Sequence, residues 1–242
     1  MDNTALLEAL GEGHAPAELA CHFPLSMRAR LLTRPLKSLA PALTVNGPFA
    51  DDCLFTCLAE QADKLAHVRI SAHGGKALLR GVHIAVLSAR GRIDIAVGDD
   101  HSRVLVGAET VCQVSMQLFR RPTVLIGDRT TIGQARIIGA YSDILIGEDC
   151  LFSDEILVQS NDQHPLVDLD TQQVLNAHRR TVRLDAHVWV GRRAVLMPDI
   201  TIGRGAVVGA GALVTSDIPA ECVAVGVPAR VVRERTSWRR QF

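Results

Sequence analysis

The sequence has few aromatic side chains, and its charges are balanced. Phe, Trp and Tyr together make up 4% of the 242 residues, which favours a narrow core packed with aliphatic side chains. Lys plus Arg number 26, and Asp plus Glu also number 26. This balance argues against a dedicated nucleic-acid-binding protein, because such proteins usually carry a net basic surface.

Long apolar segments are also missing. No apolar run approaches the ~18 residues that a membrane-spanning helix needs. The first residues, MDNTALLEALGEG, lack the basic start and the apolar centre of a signal peptide. We therefore expect no membrane span and a cytoplasmic location.

The six cysteines do not form the two closely spaced pairs that are typical of a zinc site. Cys53 and Cys57 lie four positions apart without a second pair, so the spacing does not indicate a structural zinc site. Cys150 falls at the small-residue position of a repeat unit and is expected to be a buried thiol. We expect no metal site.

What the sequence does contain is a period of six. An aliphatic residue recurs at this spacing in the C-terminal third of the chain, at Leu184, Val190, Leu196, Ile202, Val208 and Val214. A period of six fits neither an α-helix nor a simple alternating strand. It is typical of a hexapeptide solenoid, in which each unit contributes one short strand and one turn.

Small residues accompany the aliphatic position. Gly follows it directly at Gly191, Gly203 and Gly209, and Ala follows four places later at Ala194, Ala206 and Ala212. We expect the aliphatic side chain to point into the solenoid and the alanine to leave room beside it. We expect the glycine to supply a positive φ at a tight corner.

The repeat suggests three regions. Residues 1–65 are interpreted as a partly helical extension, with helical spacing at 5–10 and a second helix from Pro16 to Leu32. Residues 66–233 form the solenoid, starting with irregular coils of alternating strands and gaining a clear register at Ile126. Residues 234–242 are a short basic tail.

One long segment, residues 161–181, interrupts the register. A loop of this length inside a compact repeat is more often functional than idle. His164 lies near its start, and a histidine side chain, which ordinarily titrates near ~6.5, can serve as a general base at neutral pH. Asp162 and Asn161 precede it. Either could orient the imidazole or form a turn, and the sequence leaves both roles open.

Together these features resemble the left-handed β-helix hexapeptide acyltransferases, in particular bacterial capsule and polysaccharide O-acetyltransferases. The resemblance covers residues 90–233. It rests on the hexads, on IGEDCLFSDEILVQSNDQHPLVD, on HVWVG and on VVGAGALVT with GVPARVV. It implies an all-β, left-handed parallel β-helix that assembles as a homotrimer, with acetyl-CoA as acyl donor and the active site between neighbouring subunits.

The resemblance also implies roles for individual residues. His164 takes the position of the catalytic base, and Trp189, which follows the loop, lies beside the donor or the acceptor. Trp189 precedes an inward position, so its indole should point outward. Coenzyme A is expected along the C-terminal coils, near Arg192, Ala210, Thr215, Ser216 and Arg230. Ser216 departs from the family pattern, where Lys or Arg is common, and this shifts phosphate recognition to Arg192 or the tail.

The leading hypothesis is an acetyl-CoA-dependent O-acetyltransferase for a capsular, exopolysaccharide or lipopolysaccharide sugar. Direct transfer in a ternary complex is favoured, because the sequence places no Cys or Ser beside a base. N-acetylation of an amino-sugar nucleotide and a non-catalytic scaffold remain alternatives. A metal-dependent hydratase is disfavoured, because His164, His178 and His187 are 14 and 9 positions apart.

Overall fold

The computed structural model of the chain describes residues 25–39, 41–75 and 78–241. These residues form a parallel β-helix, so the predicted all-β solenoid is confirmed. The helical spacing noted at 5–10 lies outside the described residues. The second predicted helix is described only from residue 25, where α1 (Leu25–Arg28) is followed by a strand rather than by more helix up to Leu32.

The solenoid has three walls, which we name A, B and C in chain order. Wall A contains β3 (Leu54–Leu58), β5 (His83–Val86), β7 (Arg103–Val106), β9 (Thr123–Ile126), β11 (Ser142–Ile146), β14 (Arg180–Leu184) and β17 (Ile200–Ile202). The long strands β6 (Ala89–Val97), β8 (Thr110–Phe119) and β10 (Thr131–Ala140) bend around a corner and supply both wall B and wall C.

The other two walls continue from these bent strands. Wall B is extended by β12 (Leu151–Phe152), β15 (Trp189–Val190), β18 (Val207–Val208) and β20 (Val223–Val225). Wall C begins with β2 (Thr44–Asn46) and β4 (Val68–Ala72) and ends with β13 (Ile156–Gln159), β16 (Val195–Leu196) and β19 (Leu213–Val214).

The aliphatic hexad positions fill the core as predicted. Their side chains are fully buried, as are the accompanying alanines, Ala194, Ala206 and Ala212. Cys150 is also fully buried, and this burial raises the pKa of its thiol to about 12. The expectation of a buried thiol at that position is therefore confirmed.

The glycines of the repeat act differently from the prediction. Gly191 does not adopt a positive φ, which occurs two residues later at Arg193 (φ 60°) and, one coil on, at Gly211 (φ 70°). A Cβ atom on Gly191 would instead lie 2.6 Å from the backbone N of Ala210 in the next coil. Gly191 therefore allows adjacent coils to approach closely, and the predicted role in corner geometry was wrong.

Coil length explains why the hexads are clear only near the C-terminus. Val182 pairs with Ile200, so one coil there consists of three hexads. Earlier coils are longer and are not multiples of a hexad, since Val106 pairs with Ile126 and Phe55 pairs with Ile84. Parallel pairing already includes β2, upstream of the solenoid start that the sequence suggested at residue 66.

Both ends of the solenoid carry an antiparallel strand. At the N-terminal end, β1 (Leu31–Pro35) pairs with β3. At the C-terminal end, β21 (Arg230–Arg233) pairs with β20. Such strands occupy hydrogen-bonding edges that would otherwise be open to other chains. After β21, the tail runs back along the corner between walls A and B, where Ser237 Oγ donates to the carbonyl of Gly205 at 2.9 Å.

Candidate active site

The loop of residues 161–181 leaves the end of wall C and returns at the start of wall A. It forms a hairpin in which Val167 and Val174 are bridged antiparallel. At its base, Asp162 Oδ2 accepts from Arg180 Nη2 at 2.9 Å, and it also accepts from Asn176 Nδ2 at 2.9 Å. The two ends of the loop are therefore held together by an ion pair and an amide side chain.

This arrangement gives Asp162 and Asn161 structural roles. The buried Asn161 accepts at Oδ1 from the backbone N of Gln163 at 2.8 Å. Within the described residues, no hydrogen bond joins either side chain to the imidazole of His164. Asp162 closes the loop and Asn161 forms the turn, so in the single chain neither orients the imidazole.

A prediction follows for Asp162. We expect Asp162→Asn, which keeps an oxygen acceptor for Arg180 and Asn176, to lose less than about tenfold in kcat/KM, since its role is to hold the loop. An aspartate that orients a catalytic imidazole loses about 10⁴-fold in kcat when it is changed to Asn. Steady-state kinetics of Asp162→Asn distinguish the two roles, with Asp168→Asn at the hairpin tip as the control. A loss near 10⁴-fold would contradict the structural role.

His164 is exposed and borders a cavity of about 320 Å³ at the end of wall C. The cavity is lined by Gln117, Phe119, Arg120, Arg136, Ile138, Ala140, Gln163 and His164. Amide, guanidinium and imidazole groups beside aliphatic and aromatic surface suit a polar organic ligand. The imidazole predicted to act as a base thus adjoins a cavity that can hold a substrate.

Trp189 lies on wall B and points outward, as its register predicted, with 38% of its surface exposed. Its Nε1 is 3.4 Å from Ser153 Oγ, and its ring centroid is 6.3 Å from that of Trp238. Trp189 does not line the cavity beside His164. A single chain therefore presents the two residues on different walls and does not combine them in one site.

The residues expected near coenzyme A lie in three places. Arg192 and Ala210 meet at the corner between walls B and C, where Gly211 N donates to the Arg192 carbonyl at 2.8 Å. The Arg192 side chain also pairs with Asp154 at 2.9 Å. Arg230 begins β21 beside wall B. Thr215 and Ser216 are exposed beyond β19, at the far end of wall C.

A cluster that the tail forms next to Trp189 was not predicted from the sequence. The rings of His187 and Trp238 stack with centroids 4.3 Å apart and planes 7° apart. His187 Nδ1 lies 2.7 Å from Asp149 Oδ2, and Arg240 Nε donates to Asp149 Oδ1 at 3.0 Å. The second tryptophan of an otherwise aromatic-poor chain was the one available signal for this contact.

The tail contact should weaken in acid. Burial alone would raise the pKa of Asp149, but hydrogen bonds from His187 and Arg240 outweigh it and hold the pKa below its ordinary value of 3.8. A lowered pKa in the folded state means that this carboxylate stabilises the fold above that value and ceases to do so as the pH falls below it. The tail should therefore stay docked at pH 5 and detach as the pH falls through the lowered pKa of Asp149.

Trp238 fluorescence in a Trp189→Phe background measures this release, because Trp238 is then the sole tryptophan. We expect constant emission down to about pH 4.5, followed by a red shift, since an aspartate near an ordinary or lowered pKa titrates below this range. Asp149→Asn should give red-shifted emission already at neutral pH. A transition centred near pH 6 would show that a different group controls the tail.

Neither a metal centre nor a membrane-spanning helix is found in the part of the chain that the structure describes. No group of three or more His, Cys, Asp or Glu side chains is arranged there to hold a metal ion. None of the helices among these residues is both long and apolar enough to cross a bilayer.

Comparisons with known proteins agree with the repeat and the fold. Residues 181–216 match the family described as bacterial transferase hexapeptide (six repeats). A polysialic acid O-acetyltransferase of Escherichia coli O1:K1 / APEC is 33% identical over 118 residues, which are 48% of this chain and 38% of that protein. The galactoside O-acetyltransferase of Escherichia coli K12 is 49% identical over 53 residues, 22% of this chain and 26% of that protein.

A solved structure extends the similarity to most of the solenoid. The crystal structure of the polySia-specific acetyltransferase NeuO matches with a TM-score of 0.58 and 22% identity, covering 82% of this chain and 84% of that chain. This likeness shows the fold. The chain spans well under two thirds of either sequence relative described above. The predicted resemblance to hexapeptide-repeat acetyltransferases is confirmed.

Proposed function

We propose that this chain, which contains the bacterial transferase hexapeptide repeat, is an acetyl-CoA-dependent O-acetyltransferase acting on a hydroxyl of a capsular, exopolysaccharide or lipopolysaccharide sugar. The observation that carries the proposal is the exposed imidazole of His164 beside a polar cavity at the one long interruption of the repeat. The names of the two sequence relatives, both O-acetyltransferases of sugars, support it. The proposal includes a cytoplasmic reaction.

In this mechanism His164 accepts the proton of the acceptor hydroxyl as its oxygen bonds to the acetyl carbon. His164 then returns the proton to the departing thiolate of coenzyme A, as general acid–base catalysis requires. The donor supplies the acetyl group as a thioester. The ester C–O bond forms and the thioester C–S bond breaks on the same acetyl carbon, so the acetyl group passes directly to the acceptor without a covalent acyl-enzyme.

The corner between walls B and C fits an extended donor. A Cβ atom on Gly211 would have no neighbour within 4 Å, so a ligand can lie close to the backbone there. Arg192 is exposed at the same corner. Arg230 is also exposed, at the start of β21, which pairs with the last strand of wall B. Guanidinium groups are suitable partners for the phosphates of coenzyme A. These residues would hold the donor, with Trp189 beside it.

The separation of His164 from Trp189 supports a further part of the proposal, that the site is shared between copies of the chain. The loop also exposes large apolar side chains: Leu169 has 86% of its surface accessible and Leu175 has 60%. Clustered exposed apolar groups often mark an interface between proteins. In a closed threefold ring, each copy would cover the loop of its neighbour. Its wall B, which carries Trp189, would then face the His164 of that neighbour. The proposed assembly is therefore a homotrimer.

A mixing experiment tests this shared site. We expect His164→Ala and Trp189→Ala homo-oligomers each to be nearly inactive, and co-expression of the two chains to restore activity. In a randomly mixed ring about one quarter of the sites contain both native residues, so up to about a quarter of wild-type activity should return. His164→Ala mixed with the double variant is the control and should stay inactive. No recovery in verified mixed trimers would show that the two residues do not share an intersubunit site.

The enzymatic function is tested by coenzyme A release from acetyl-CoA with a panel of bacterial polysaccharides, amino-sugar nucleotides and galactosides. We expect release that depends on a saccharide, and mass spectrometry of the product should locate an ester-linked acetyl group. Acetylation of an amine alone would redirect the proposal to N-acetyl transfer. Purified trimer that binds acetyl-CoA but transfers nothing to any acceptor would contradict the proposed function.

A further inference from the structure

Two arginines line the cavity of His164 without a carboxylate partner in the described part of the chain. Arg120 Nη2 donates to Asn161 Oδ1 at 3.2 Å, and Arg136 Nη2 donates to Gln117 Oε1 at 3.0 Å. Both acceptors are neutral amide oxygens. The hydrogen bonds fix the direction of each guanidinium without neutralising its charge, and donors remain available on both groups.

Several other arginines of the solenoid are paired with acids. The pairs are Arg129–Glu148, Arg179–Asp143, Arg180–Asp162, Arg183–Asp185, Arg192–Asp154 and Arg193–Glu155. The cavity beside His164 has no Asp or Glu among its lining residues. Its wall therefore carries two positive charges, and a concave surface of one charge sign favours ligands of the opposite sign.

The acidic residues of a second, adjoining cavity do not neutralise Arg120 or Arg136. This second cavity has a volume of about 560 Å³, lies on the same wall and shares Arg136. Two acidic residues line it, but Asp94 pairs with Arg92 at 2.6 Å and Glu155 pairs with Arg193 at 2.7 Å. Arg136 thus stands between two cavities, and a saccharide longer than one unit has room to continue past it.

The geometry points to a negatively charged saccharide as the acceptor, with its anionic group bound by Arg120 and Arg136 and its hydroxyl directed toward His164. This inference rests on the proposed acetyl transfer and narrows its substrate class. A planar guanidinium binds carboxylate or phosphate oxygens through paired hydrogen bonds. Neutral galactosides would leave both arginines unsatisfied and should be poor acceptors.

Kinetics with polysialic acid, a phosphate-bearing capsular polymer and a neutral galactoside test the assignment. For the preferred acidic polymer, we expect KM to rise about tenfold in Arg136→Gln and in Arg120→Gln, with kcat changed less than threefold, because each variant loses a hydrogen bond to a charged group. Arg136→Lys should recover part of the loss, since the charge remains but the paired geometry does not. Arg121→Gln, an equal change of charge outside the cavity, is the matched control.

Binding without chemistry separates this inference from the proposed function. In titration calorimetry without donor, acidic oligosaccharides should bind the wild-type protein, bind less tightly at high salt and bind about tenfold more weakly to either Gln variant. Efficient acetylation of the neutral galactoside, unchanged in the variants, would overturn the inference while leaving acetyl transfer intact. Arginine-dependent binding with no transfer to any acceptor would uphold the anion site and contradict the function.

Discussion

His164→Ala is expected to lower kcat/KM for acetyl transfer by about 10²–10⁴-fold, the usual contribution of a general base. The position of the imidazole supports this role in addition to its chemistry. The imidazole is exposed at a polar cavity, and the loop that carries it is closed by the contacts of Asp162 with Arg180 and Asn176. Stopped assays of coenzyme A release at saturating donor measure the effect, and most of it should appear in kcat.

The matched control is His178→Ala in the same loop. His178 is also exposed, but its Nε2 lies 3.2 Å from Asp199 Oδ2, and it does not line the cavity. We expect this variant to stay within threefold of wild type, while acetyl-CoA binding is preserved in both variants. Equal losses of activity in His164→Ala and His178→Ala would mean that any change in the loop impairs the enzyme. Full activity of His164→Ala would show that His164 is not the general base.

Residue spacing was sufficient to predict the core and the position of the loop. The six-residue period required Leu184, Val190 and their successors to face inward, and all of them are buried. The failure of that period between Val158 and Leu184 located the insertion that carries His164. Val158 pairs with Leu196, whereas Val182 pairs with Ile200, so the coil that contains the loop is more than twice as long as a regular coil.

The remaining features depend on contacts between distant residues. Arg120 and Arg136, the two arginines beside His164, lie in coils that are longer than three hexads. The six-residue period alone therefore does not predict that they lie together. The docking of Trp238 on His187 joins residues 51 positions apart. Asp162 was paired with Arg180 by folding of the loop, a contact that the residue types alone could not distinguish from one with the imidazole.

Substitution of Gly191, a glycine of the hexad repeat, is expected to have a large effect on stability. We expect Gly191→Ala to lower the free energy of unfolding by about 3 kcal/mol, the upper range for overpacking, because the atoms nearest to the new Cβ are backbone atoms. The nearest are Ala210 N at 2.6 Å and Val208 O at 2.8 Å. These atoms cannot retreat without breaking the ladder, since Gly191 N itself donates to Val208 O.

Gly211→Ala separates crowding from backbone conformation. Gly211 has φ of 70° but no atom within 4 Å of an added Cβ, and Arg193 holds the equivalent corner one coil earlier with φ of 60°. The cost there should be only about 1 kcal/mol, that of a left-handed residue. Gly139→Ala should fall between the two, because its nearest neighbours are side-chain atoms at 3.2 Å. Urea midpoints rank the three variants, and a larger loss at Gly211 than at Gly191 would restore corner conformation as the reason for the repeated glycine.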